Sequence, residues 1–293
     1  MIKDRNGRII PENSGQGKVL RVLYGTIFGR LLLKVLTLPL ISELAGKFMD
    51  STLSIPLIKP FIRRNRIDMR QYREQNYRCF NEFFTRKIRP SARPVSSGAN
   101  ELISPCDSKL TVYPVSEKSL FEIKGSLYSI ADLLKNHNLA RHYSGGLCMI
   151  FRLCVDDYHR YCFIDSGVKS ESVFIKGELH TVNPIALGRY NIYKRNSREY
   201  TVLHTENFGD VVHVEVGAML VGKICNRKLR RFRKGDEKGM FRYGGSTVVL
   251  LFENDRVTVD NDILENSRNA IETTVKYGEK IGNVKADSKR KNH

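Results

Sequence analysis

The sequence predicts an α+β fold in which a helical N-terminal region precedes a β-rich domain. Three observations predict it. Apolar residues recur at helical spacing before position 50, and past residue 100 the chain changes to short β-branched runs bounded by Gly, Asp and Asn. The 293 residues, 41% of them hydrophobic, are enough to bury a large core.

Residues 19–48 are the most apolar stretch, but Arg21, Arg30 and Lys34 interrupt it and Pro39 breaks it, which argues against a transmembrane helix. Leu20, Leu23, Ile27, Leu31 and Val35 are spaced by three and four, the pattern of one apolar helical face. Such a stripe suits a helix lying in a membrane interface or one packed on the protein's own body, and the interface is the expectation carried forward. Residues 62–94 are strongly basic and read as helix followed by a Pro-punctuated turn. Together these define a membrane-associating region over 1–98.

Past residue 100, the runs LCMIFRLCV, ESVFIKG, VVHVEVGAMLVGKI and STVVLLFE have the length and β-branched content of strands. They place a β-rich catalytic domain over 99–284. The tail 285–293 reads as disordered and basic. The chain contains no internal repeat.

Lys and Arg number 49 against 31 Asp and Glu, a formal net charge of +18 that calls for a polyanionic partner. No Cys-His finger spacing or RNA-binding aromatic signature accompanies the charge, so an anionic membrane is favoured over nucleic acid. The six cysteines are scattered without a C-x-x-C pair, which argues against zinc and a redox dithiol; no metal is expected. The first seventeen residues lack the apolar core of a secretory signal, so a reducing, cytoplasmic setting is expected.

Chemistry concentrates in four places. Gly244-Gly245-Ser246-Thr247 precedes a strongly apolar run, and reads either as a tight turn opening a strand or as an accessible serine beside an unhindered carbonyl. Asp157, His159 and Arg160 follow the strand expected at 149–155. Asp107 follows the Ser104-Pro105 turn, where it either caps the backbone or offers a carboxylate, and His180 precedes an Asn-Pro turn.

In that order the chain resembles the phosphatidylserine decarboxylase family from about residue 77 to 253. The matching pieces begin with Phe83-Phe84-Thr85-Arg86, Arg89-Pro90, Arg93-Pro94, Ser104-Pro105-x-Asp107 and Lys124-Gly125-x-x-Tyr128-Ser129. They continue through Asp157-Tyr158-His159-Arg160, Thr181-Val182-Asn183-Pro184, Asn196-x-Arg198, Val216-Gly217-Ala218 and Gly239-x-Phe241-x-x-x-Gly245-Ser246-Thr247.

The resemblance implies a precursor that cuts itself between Gly245 and Ser246, turning Ser246 into a covalent pyruvoyl cofactor and leaving chains 1–245 and 246–293. It implies decarboxylation of phosphatidylserine to phosphatidylethanolamine through a Schiff base, at the cytoplasmic side of the cell membrane, with the enzyme bound peripherally. Asp107 takes the carboxylate role and the Asp157–Arg160 segment the imidazole role. Many relatives carry two histidines three residues apart there; this chain has His159 and then Cys162. The second role falls to His159 itself, to His180, or to the thiol of Cys162. The departure at Cys162 also leaves open a processing-deficient relative that only binds aminophospholipid, and the tail-binding surface leaves open an archaeal-type ether-lipid substrate. Oligomeric state is undetermined, with self-association allowed.

Overall fold

The short β-branched runs assemble into one ten-stranded sheet flanked by smaller ones. The computed structural model describes residues 1–11, 26, 39–118, 120–123, 126–177, 196–217, 223–243 and 246–285. The apolar stripe of residues 20–35, His180, Gly245 and the tail beyond Lys285 lie outside the described residues.

Leu147–Leu153 and Ser246–Phe252 form the middle of the large sheet, antiparallel and in register from Ser246 opposite Leu153 to Phe252 opposite Leu147. Every residue of Ser246–Phe252 is buried, so its sequence STVVLLF shows no polar alternation: a strand covered on both faces has no solvent side to pattern. On one flank lie Asp210–Val216 and then Arg198–Thr205. On the other lie Ser108–Pro114 and Glu272–Val275.

Ile2–Lys3 extends that second flank by pairing in parallel with Glu272 and Thr273. Arg5 then reaches Asp260 at 2.8 Å, the carbonyl of Lys280 at 2.8 Å, and the carboxylates of Asp262 and Glu279. The first residues are thus part of the β-domain, whereas the sequence reading assigned all of 1–98 to a helical region. Two residues of strand carry too little periodicity to be read, and their partners lie some 270 positions away.

The helical region is built from Pro39–Met49, the 3-10 turn Thr52–Leu57, Ile58–Asn65 and Phe80–Phe84. The helix expected over the basic stretch is correspondingly shorter than its charge pattern suggested: it stops at Asn65, where Arg66 turns left-handed at φ 52°. Phe80–Phe84 is closed at its start by a reciprocal cap, with Cys79 Sγ accepting from Glu82 N at 3.4 Å and the Glu82 carboxylate accepting from Arg78 N at 2.6 Å. Phe80, Phe83 and Phe84 share one face, as i, i+3, i+4 spacing requires. They meet Phe61 and Tyr243 edge to face, at 5.1 Å for Phe61–Phe80 and 5.0 Å for Phe80–Tyr243. Burying each ring contributes roughly 1.5–3 kcal/mol, and the cluster fastens the helices to the segment leading to Ser246. No helix among the described residues is long and apolar enough to cross a membrane.

Candidate active site

Three neighbouring strands bring the sequence-predicted residues to one end of the large sheet. Asp107 immediately precedes Ser108–Pro114, His159 follows Leu147–Leu153 through a turn, and Ser246 opens Ser246–Phe252. Strands lie about 4.8 Å apart, so Asp107 and Ser246, two strands apart, are separated by roughly 10 Å across the ladder. A second tie draws His159 to the same end: Phe241, on the strand Glu237–Phe241 that leads toward Ser246, donates its N–H to the carbonyl of His159 at 2.9 Å.

Ser246 is fully buried, and its Oγ has no hydrogen-bond partner among the described residues. Buried hydroxyls are ordinarily satisfied, so a bare one at a strand end calls for a chemical explanation. The side chain of Thr247 points to the opposite face, as strand alternation dictates.

His159 is also fully buried. Its Nδ1 lies 2.8 Å from the carbonyl oxygen of Asp157, and since a carbonyl only accepts, Nδ1 carries the proton and Nε2 the lone pair. Nε2 has no partner among the described residues. Burial pushes the imidazole down to about 4 against the opposing pull of the Asp157 charge, so the ring is neutral at pH 7. Phe84 packs on it with centroids 4.0 Å apart.

Asp157 owes its position to Lys109, whose ammonium donates to both carboxylate oxygens at 2.8 Å; the backbone N–H of Cys154 adds a third bond at 2.7 Å. Burial alone would raise the Asp157 carboxyl, but Lys109 more than offsets it and holds it below the usual range. Lys109 escaped the sequence reading. Its only signal was a lysine inside an otherwise uncharged strand, Ser108–Pro114.

The carboxylate of Asp107 is engaged elsewhere. Arg93 grips it bidentately, at 2.8 Å from Nε and 2.6 Å from Nη2, and the N–H of Tyr277 donates at 2.8 Å. No hydrogen bond joins Asp107 to His159 or Ser246, so the partner that orients the ring is the carbonyl of Asp157. Cys162 lies on the Asp107 side: its N–H donates to Pro105 O at 2.9 Å and its thiol points to Ser104 O at 3.9 Å. Burial pushes that thiol up to about 12, which keeps it protonated at neutral pH.

The arrangement offers a shielded hydroxyl at the start of a strand, a neutral imidazole whose Nε2 has no partner among the described residues, and an arginine-fixed carboxylate. Among the described residues no cluster of His, Cys, Asp and Glu is suited to a metal ion. This is equipment for moving a serine proton in a water-poor setting.

Comparison with known proteins points the same way. The profile of the phosphatidylserine decarboxylase family matches residues 80–283. The chain is 50% identical over 264 residues to phosphatidylserine decarboxylase proenzyme 2 of Clostridium acetobutylicum, covering 90% of this chain and 91% of that one. It is 43% identical over 279 residues to the phosphatidylserine decarboxylase proenzyme of Ruminiclostridium cellulolyticum, covering 93% of each. With that of Clostridium botulinum it shares 42% over 272 residues, 90% of this chain and 92% of the relative.

Proposed function

This chain belongs to the phosphatidylserine decarboxylase family, and on that premise we propose that it cuts itself between Gly245 and Ser246 and then converts phosphatidylserine to phosphatidylethanolamine and carbon dioxide. The observation that carries the reading is the buried Ser246 hydroxyl, without a hydrogen-bond partner among the described residues, at the same sheet end as an imidazole whose Nε2 also has none among them.

Cleavage begins when Nε2 of His159 accepts the Ser246 proton and Oγ attacks the Gly245 carbonyl carbon. The amide nitrogen leaves as the amine of residue 246, and an ester takes its place. Removal of the Ser246 Cα proton then expels the Gly245 carboxylate, which carries Oγ away with it. The remaining enamine tautomerises and takes up water, releasing ammonia and leaving a ketone at the head of the second chain. Gly245 suits the step because it presents no side chain to the attacking oxygen.

A pyruvoyl group fits this position, since its source is Ser246 and the Oγ has no hydrogen bond among the described residues to lose on departure. Once formed, its carbonyl supplies the sink for the electron pair left by carbon dioxide. The protein's part is to exclude water, to hold the lipid carboxylate at the sheet end, and to deliver a proton to the product carbon, a role assigned to His159. Phe80, Phe83, Phe84 and Tyr243 supply the apolar wall.

The enzyme works peripherally on the cytoplasmic side of the cell membrane. Support comes from Leu44, Phe48, Leu53, Ile55 and Leu57, each exposed within one short stretch of the helical region that exposed Lys59 and Arg63 follow in the chain. Each basic residue near an anionic leaflet adds about 1 kcal/mol.

An intact-mass spectrum tests the central reading. Wild-type protein should give chains 1–245 and 246–293 with a blocked second N-terminus, and Ser246→Ala one uncut, inactive chain. Active wild-type enzyme in one piece would overturn it.

A further inference from the structure

The strand Glu237–Phe241 delivers the chain to the scissile segment, and it belongs to a separate three-stranded sheet between Ile224–Asn226 and Arg160–Cys162. Only residues 242–245 connect it to Ser246 in the large sheet. So short a link makes the approach to the proposed scissile bond sensitive to how the small sheet is registered on the large one.

That register has a weak point. Glu237 pairs with Cys162 and Gly239 with Tyr161, so Lys238 is the extra residue of a bulge. A bulge loosens the ladder locally and re-aims the side chain it carries. Here the Lys238 side chain is turned into the space between the sheets, where it is 1% exposed and donates to the carboxylate of Glu215, which is 0% exposed. Glu215 lies on Asp210–Val216, opposite Val248 of the Ser246 strand. By strand alternation it shares a sheet face with Ser246, one side-chain step away.

A hydrogen-bond network surrounds the pair, and buried His213 brings Nε2 to 3.4 Å from the Glu215 carboxylate. Asn226 donates to Glu215 at 3.1 Å and to Glu199 at 2.8 Å, and its carbonyl oxygen accepts from Lys238 at 3.3 Å and from Tyr161 Oη at 3.0 Å. Gly239 admits this packing, since a Cβ there would come within 2.6 Å of Asn226 Oδ1 and Tyr161 Oη. Burying two charges is costly, and an apolar pair of equal volume usually stabilises a fold as well or better. Fixing one register among competitors is the best-attested use of such a pair.

We infer that the Glu215–Lys238 pair is a positioning device for self-cleavage, pinning the bulged strand so that the Gly245 carbonyl meets the Ser246 hydroxyl. The inference rests on the cut proposed above. A slip of one residue displaces a strand by about 3.3 Å, and a misplacement near 1 Å lowers a reaction rate by about 100-fold. Once the bond is cut the pin has finished its task, and the decarboxylation that follows does not depend on it.

The test is the Glu215→Leu/Lys238→Met double variant, which removes both charges and keeps the volume. The rate of precursor disappearance is followed by gel, thermal unfolding is recorded, and turnover is expressed per blocked N-terminus. The expected result is a folded precursor that cuts about 10- to 100-fold more slowly, with wild-type turnover in the fraction that is cut. A pair that only stabilised the fold would leave cleavage at the wild-type rate in the folded double variant, and that result overturns the inference. Turnover falling in step with cleavage overturns it too. Should the double variant fail to fold, Asn226→Ala keeps both charges while loosening the pin; slower cleavage with unchanged turnover supports the inference, and an unchanged rate overturns it. A wild-type protein that never splits removes the cut itself and this inference with it, whereas unchanged variants beside a cut wild type overturn the inference alone.

Discussion

Lys109 holds both carboxylate oxygens of Asp157 at 2.8 Å, two residues before the imidazole that the Asp157 carbonyl orients. The order of dependence runs from a strand lysine, through a buried aspartate, to the ring nitrogen left bare at the sheet end.

Lys109→Met should therefore do two things. It leaves the Asp157 charge buried and unpaired, which costs about 3–5 kcal/mol, and it frees the His159 ring to turn. Denaturant unfolding in a Ser246→Ala background, where the chain stays whole, measures the first. The precursor half-life with Ser246 restored measures the second. A loss below about 1 kcal/mol, within the range of an exposed pair, would remove Lys109 from the site.

Acid should act on this site later than on an ordinary histidine. With His159 held at about 4, its lone pair stays available down to pH 5, so the cleavage rate should be level from pH 8 to 6 and fall only near 4. Stability follows a related course. The unfolded ring takes up a proton near 6.5 and the folded ring does not, so stability is complete above 6.5 and declines as pH falls toward 4, by on the order of 3 kcal/mol. A cleavage rate already halved at pH 6.5 would contradict this.

The base is identified by a set of single variants. His159→Ala should block cleavage, and Asp107→Ala should slow it through loss of the Arg93-held turn. Cys162→Ala should cut nearly as fast as wild type, because a thiol pushed up to about 12 is not a base at neutral pH. His180→Ala is the deciding control: a block there, with His159→Ala still cutting, transfers the role.

Two deletions separate attachment from folding. Removing residues 12–38 takes away the apolar stripe and should weaken flotation with anionic vesicles while self-cleavage continues. Removing residues 1–11 takes away the strand beside Glu272 and the Arg5 contacts, so it should lower the thermal midpoint and leave vesicle binding intact. Undiminished flotation after the first deletion would move the anchor to the exposed residues 44–57 or the basic stretch 62–73.

Much of the β-domain was legible because its central strands are buried on both faces. LCMIFRLCV and STVVLLFE announce themselves as apolar runs, and they pair with each other. Ser246, His159 and Asp107 stood out through their ordered motifs, and the fold brings all three to one end of the large sheet. What stayed hidden depends on contacts between distant positions. Nothing in a sequence couples Lys109 to Asp157 or Lys238 to Glu215, because the first pair joins a strand to a distant turn and the second joins strands of different sheets. The division of Asp107 from His159 was hidden for the same reason: Arg93 and Tyr277, far apart in the chain, converge on one carboxylate.

Ser246–Phe252 lies between Leu147–Leu153 and Asp210–Val216, and Glu272–Val275 between Ser108–Pro114 and Ile2–Lys3. Under the proposed cut before Ser246, the shorter chain would be woven between strands of the longer one on both sides. The precursor folds as a single molecule, but the cut protein, if ever unfolded, has to find its other half by diffusion. On that reading maturation is a one-way assembly: the lifetime of the cut enzyme would be governed by how slowly it opens and no longer by an equilibrium it can re-enter.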